Sequence, residues 1–175
     1  MSSIIDVKNQ AVTDMLRQLV HQVGSSASIL PALGEDMVER TKQRFASGTA
    51  PDGQRWLANT RTTLMRYLQQ RNGFSSKSGK ISAKGRNLAI TKRPLQGPTG
   101  NLAKFIFYEA TNDDLLIASN RIYAAMQQYG GKRAQFRQLW GDIPARPFLP
   151  IDAQNELYPK ETEFIVEQLS DYLLK

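Results

Sequence analysis

The chain has 175 residues, with 23 Lys and Arg against 16 Asp and Glu, one His and no Cys, for a formal net charge of +7. That length suits one domain, 1–175, with a core of its own. The missing thiols exclude a disulfide framework and a thiolate zinc site, and no apolar run approaches the roughly 20 residues that span a bilayer, so no membrane partner is expected.

The first helix is expected over residues 5–23, where Ile5, Val12, Leu16, Leu19 and Val23 recur at three- and four-residue spacings. Asp6 suits its first turn, Gly24 its end, and Ser25-Ser26-Ala27-Ser28 reads as a short polar link. A second helix is expected over 31–46, with Leu33, Met37, Val38, Thr41 and Phe45 on one side and Gly48 past the end. A short link favours packing these two as an antiparallel pair. Pro51-Asp52-Gly53 is a turn in which each residue has its own reason: preset φ, an aspartate bonding its downstream backbone, and a glycine free to take positive φ. Trp56 lands just beyond it, within reach of Phe45. Asn59-Thr60 suits the cap of a short helix through Tyr67 and Leu68.

Residues 69–85 are rich in Gly, Ser and Lys and read as a mobile basic loop, one expected to order on docking. Leu88-Ala89-Ile90-Thr91 reads as a brief strand, and residues 94–100, with two prolines and two glycines, as a loop. Phe105-Ile106-Phe107-Tyr108 and Leu115-Leu116-Ile117-Ala118 flank a polar turn and read as a hairpin. A helix over 122–129 ends at Gly130-Gly131, and a last one over 159–174 opens on Pro159, with Glu161 and Glu163 in its first turn. The expected class is α+β: an N-terminal helix pair, a small antiparallel sheet and a C-terminal helix.

Charge is divided along the chain. From Arg40 to Arg93 there are 13 Lys and Arg against one acid, Asp52, whereas six acids and two bases follow Pro150. Such a block of one sign suits a polyanion or an acidic protein surface, and equally a solvated face. Arg71, Lys77, Lys80, Lys84 and Arg86 are the candidate contacts within it. No helix-turn-helix, zinc-finger or RNA-recognition signature accompanies them, so the alternative function is that of a basic nucleic-acid-associated protein without sequence readout.

Catalytic constellations are missing from the sequence. His21 has no companions near it for a triad or a metal site. Asp113-Asp114 is explained by turn chemistry, and Gly97-Pro98-Thr99-Gly100 lacks the Lys-Ser/Thr of a phosphate loop. No catalytic residue, metal ligand or cofactor is therefore expected. In Ile143-Pro144-Ala145-Arg146-Pro147-Phe148-Leu149, two prolines hold an extended backbone and Phe148 suits a core corner. Arg146 between them can grip a partner's carboxylate bidentately; on that reading its loss weakens contacts and spares the fold.

Taken in order, Arg44-Phe45, Gly48, Pro51-Asp52-Gly53 and Trp56, then Thr99-Gly100-Asn101-Leu102, then Tyr123-Ala124 with Gln127-Gln128-Tyr129-Gly130, then the 143–149 string, resemble the phage virion morphogenesis family. That family takes in the tail completion proteins of P2-like phages and the G-type proteins of Mu-like phages. The resemblance covers about Val38 to Leu149 and makes Phe45, Pro51, Asp52, Gly53, Trp56, Pro144, Pro147 and Phe148 its structural motif. It implies a non-enzymatic virion protein of the neck, made in the host cytoplasm, which completes the tail and joins it to the DNA-filled head. The partners it implies are a homo-oligomeric ring, commonly sixfold, the tail terminator and head-connector proteins, and packaged DNA touched without sequence specificity. The segment 71–93 is longer and more basic than the family pattern, so its role is not carried over.

Overall fold

A computed structural model describes residues 9–23, 29–97, 99–112, 114–139 and 141–174. The start expected for the first helix at 5–8 and the polar link at 25–28 lie outside them. The elements in chain order are α1 (Gln10–Val23), α2 (Leu30–Ser47), α3 (Arg61–Gln70), α4 (Ala83–Thr91), α5 (Asn101–Lys104), β1 (Ile106–Ala110), β2 (Leu115–Ser119), α6 (Ala124–Tyr129) and α7 (Pro159–Leu173). The class is α+β, as expected.

Helix α2 is the spine because it has buried residues on two adjoining sides. Leu33 and Met37 join Leu19 of α1, Ile29, and Ile165 and Leu169 of α7 in one apolar cluster. Val38 and Phe45 join Ala50, Trp56, Leu102, Ile106, Ala124 and Phe148 in a second. Pro31 sits in the first turn of α2, and Gly48, at φ 72°, closes it by donating its N–H to the Arg44 carbonyl at 2.8 Å. Helix α1 lies along α7 and meets α2 only in that shared apolar cluster, so the antiparallel α1–α2 pair expected from the short link gives way to a pairing of α1 with the end of the chain.

Strands β1 and β2 form an antiparallel hairpin in which Ile106 pairs with Ser119 and Ala110 with Leu115. Its turn is closed by the Thr111 N–H donating to the Asp114 carbonyl; Asp113 lies outside the described residues. The hairpin packs on α2 at Gly34, where a Cβ would stand 2.4 Å from Tyr108 Cδ2. Only a glycine lets that ring lie on the helix.

The middle of the chain departs from expectation. Residues 88–91, expected as a strand, are the last turns of α4. Ser82 caps this helix by accepting from the Gly85 N–H at 3.0 Å, and Ile90 points to solvent with no strand to pair with among the described residues. The stretch 69–85, expected as a loop, is organised: α3 runs to Gln70, Phe74 bridges Ile81, and the Ser82 N–H donates to the Gly73 carbonyl at 2.9 Å. Gly85 is buried against Gly73, and a Cβ there would stand 2.0 Å from the Gly73 carbonyl oxygen. Helices α3 and α4 thus form one tight unit. Helix α6 starts two residues later than expected, leaving Ile122 fully exposed.

Candidate functional site

The four motifs meet at one place. Phe45 near the end of α2 stacks edge-on to Trp56, with ring centroids 5.4 Å apart, and lies 5.2 Å from Phe148. The intervening turn forms as its residues dictate: Asp52 Oδ1 accepts from the Gln54 N–H, Gly53 takes φ 89°, and the Trp56 N–H reaches back to the Gly48 carbonyl. Trp56 Nε1 then donates to the Pro147 carbonyl at 2.8 Å, tying the first string to the last. Pro144 and Pro147 hold the segment extended beside α6, where the Arg146 N–H donates to the Gln127 carbonyl. Gly130, at φ 73°, lets the backbones approach; a Cβ there would stand 2.7 Å from the Ala145 nitrogen.

Two polar side chains to which the sequence assigns no buried role complete this corner. Gln128 is buried: its Nε2 donates to the Ile151 carbonyl, while its Oε1 accepts from the Phe148 and Leu149 N–H groups at 2.9 and 3.0 Å. Three good bonds satisfy an amide that would otherwise be costly to bury. Its signal was slight, a four-residue spacing from the buried Ala124.

Glu161 is the second, only 1% exposed. Its Oε1 accepts from Arg40 Nη2 at 2.8 Å and its Oε2 pairs with Arg44 Nη2 at 2.6 Å. Arg44 also donates to the Phe148 carbonyl, and the Arg40 guanidinium lies 4.0 Å above the Phe164 ring. Burial pushes the Glu161 carboxyl up, but hydrogen bonds and charge from Arg40 and Arg44 outweigh it and hold the group below the usual carboxylate range. A trace of this role was readable: Glu161 stands four and eight residues before the buried Ile165 and Leu169.

Arg146 does not present a grip to a partner. It is 6% exposed, and its Nε and Nη2 each donate at 2.9 Å to carbonyls of its own chain, those of Leu57 and Ala58. The bidentate geometry expected of it is real, with backbone in place of a carboxylate. It fixes the segment entering α3, and Asn59 in that segment donates from Nδ2 to the Lys92 carbonyl at the end of α4.

The other candidate contacts, Arg71, Lys77, Lys80, Lys84 and Arg86, all lie exposed on the α3–α4 unit. A cleft of about 200 Å³ opens between its two helix ends, walled by Tyr67, Arg71, Lys92, Arg93 and Gln96. Burial, then the neighbouring cations Arg146 and Arg71, hold the Lys92 ammonium below its usual range. His21 is exposed on α1. Among the described residues, no group of three or more His, Cys, Asp or Glu is placed to hold a metal, and no helix is long and apolar enough to cross a membrane. What the motif residues build is a rigid, fully bonded corner with a basic unit held beside it.

The phage virion morphogenesis family profile matches residues 7–169. The Mu-like prophage FluMu G protein 2 of Haemophilus influenzae is 38% identical over 74 residues, which make up 42% of this chain and 48% of that protein. The chain thus spans about half the length of this curated relative. No solved structure matches.

Proposed function

Because the chain belongs to the phage virion morphogenesis family and so serves in building a phage particle, we propose that it is a structural protein of the neck, which completes the tail and joins it to the DNA-filled head as a ring. The motifs that carry the family likeness support a structural part over a catalyst, since their side chains are spent on one another. Phe45, Trp56, Phe148, Arg44 and Arg146 are buried, and their polar atoms bond to backbone or to Glu161.

The observation that carries the ring is the separation of charge. No Asp or Glu occurs from Gly53 to Tyr108, while Glu163, Glu167 and Asp171 lie exposed at four-residue intervals on α7. Opposite charges on different elements of one protomer suit a heterologous contact repeated around an axis, which forms a ring where the rotation closes. Tail terminator and head-connector proteins are the neighbours of such a ring, and packaged DNA passes through it.

Electron microscopy of an induced lysate with this gene interrupted tests the reading. DNA-filled heads beside separate tails of finished length are expected. Normal infectious virions would remove the protein from assembly and favour the second reading, a basic nucleic-acid-associated protein, whose support is the run of exposed bases on the α3–α4 unit.

A further inference from the structure

We propose that the cleft between the ends of α3 and α4 is an oxyanion site that takes a phosphodiester of DNA, with Arg71, Lys92 and Arg93 as its ligands and Tyr67 as its wall. The cations arrive from two elements: Arg71 follows α3, whereas Lys92 and Arg93 follow α4. Lys92 Nζ stands 5.1 Å and Arg71 Cζ 5.9 Å from the centroid of the Tyr67 ring, so both positive groups gather around one aromatic ring. No carboxylate lines the cleft, and neither Arg71, Lys92 nor Arg93 makes an ion pair among the described residues. Behind them Arg146 adds a fourth positive charge, locked in place by Leu57 and Ala58.

Gathering like charges in a partly enclosed space is unfavourable unless an anion offsets them. The contrast within this molecule is direct. Arg40 and Arg44, also close together, share Glu161; Arg71 and Lys92 have no carboxylate between them. Lys92 Nζ donates to the Gln96 and Arg93 carbonyls, which leaves one ammonium N–H for a ligand. The Arg71 guanidinium is exposed and donates to no acceptor among the described residues.

A phosphodiester fits better than a protein carboxylate because of what surrounds the cleft. Lys77, Lys80, Lys84 and Arg86 continue the positive surface on the same unit. Protein interfaces mix the two signs, whereas a linear polyanion meets a surface of one sign, and its phosphates fix position without conveying sequence. The site rests on the proposed neck location only for where DNA is met, and DNA binding by the purified protein can fail while the interrupted-gene phenotype stands.

The test is fluorescence anisotropy of the full chain with a labelled 20-base-pair duplex of arbitrary sequence, over a range of salt, for wild type and the R71Q/K92Q variant. Melting temperature is followed for each protein. The variant is expected to bind about tenfold more weakly, with a salt slope lower by about 2, as for two lost phosphate contacts. The K77Q/K80Q variant, which removes the same charge outside the cleft, is expected to lose clearly less. Should R71Q/K92Q fail to fold, R71Q alone, at an exposed position, is expected to lose about half of the logarithmic effect. Equal losses in the two double variants would reduce the site to diffuse surface charge and overturn the proposal. So would unchanged DNA binding accompanied by a drop in oligomeric mass, since the cleft would then hold a carboxylate of a second copy.

Discussion

Glu161 holds together three parts of the chain that sequence reading treats separately. Its two oxygens tie α7 to α2 through Arg40 and Arg44, and Arg44 carries the link on to Phe148. Breaking a buried pair by removing one partner leaves the other charged and desolvated, which costs about 3–5 kcal/mol. Glu161→Gln is therefore expected to lower stability by about that amount in urea unfolding, more than neutralising the exposed Glu163. The native carboxyl titrates below its unfolded value, so its stabilisation is complete above the unfolded glutamate pKa, about 4.3, and is lost as pH falls through the lower native value. Wild type is thus expected to lose stability faster than Glu161→Gln as pH falls below about 4. Parallel curves would show that the pair contributes nothing over that range.

Arg146 and Trp56 belong to the same scale. Trp56→Ala removes a ring packed on Phe45 and a hydrogen bond to Pro147, and a loss of about 3–5 kcal/mol is expected. An unchanged melting temperature would contradict the packing. Arg146→Ala frees the Leu57 and Ala58 carbonyls and is expected to destabilise the fold as well, in place of the purely interfacial effect that its position between two prolines suggests.

Among the elements, those legible in the sequence share one property: their signals are local. The 3.6-residue periodicity of α2 and α7, the chemistry of the Pro51-Asp52-Gly53 turn, and two apolar runs around a polar turn each specify a structure without reference to the rest of the chain. Helix α3 was legible from its Thr60 cap, but α4 and its packing on α3 were not, because that order comes from close approach. Gly73 and Gly85, 12 positions apart, read as flexible linker residues, yet they let two backbones touch. The cleft is hidden for the same reason, since Arg71 and Lys92 become neighbours only through that approach. Gly85→Ala is expected to push α4 off Gly73, costing about 1–3 kcal/mol and weakening any function of the cleft. Limited trypsin digestion of the free protein bears on the unit directly. Cleavage confined to the tip at Lys77 and Lys80 is expected, with Lys84 and Arg86 protected inside α4. Cutting throughout 69–86 would restore the mobile loop.

At the scale of the whole molecule, the distribution of charge decides how copies can meet. Glu163, Glu167 and Asp171 follow one line on α7, about 12 Å long at 1.5 Å per residue, with Lys160 one turn before it and no base from Glu163 to the end of the helix. A two-fold contact centred on this stripe would set it against itself and repel, whereas a head-to-tail contact sets it against a neighbour's basic half. Self-association, followed by sedimentation velocity, is therefore expected to weaken as salt rises and to be lost when all three acids are changed to Lys. Pairing that triple variant with a second protein carrying Arg55→Glu and Arg61→Glu, exposed bases outside the cleft and the Lys77–Arg86 surface, is expected to restore mixed assemblies that neither forms alone. Reciprocity of this kind distinguishes a specific contact from a loss of solubility or fold, because each variant would then be rescued only by its complement. Oligomers of the triple variant with undiminished mass would show that copies meet through another face, and the ring would lose its electrostatic basis.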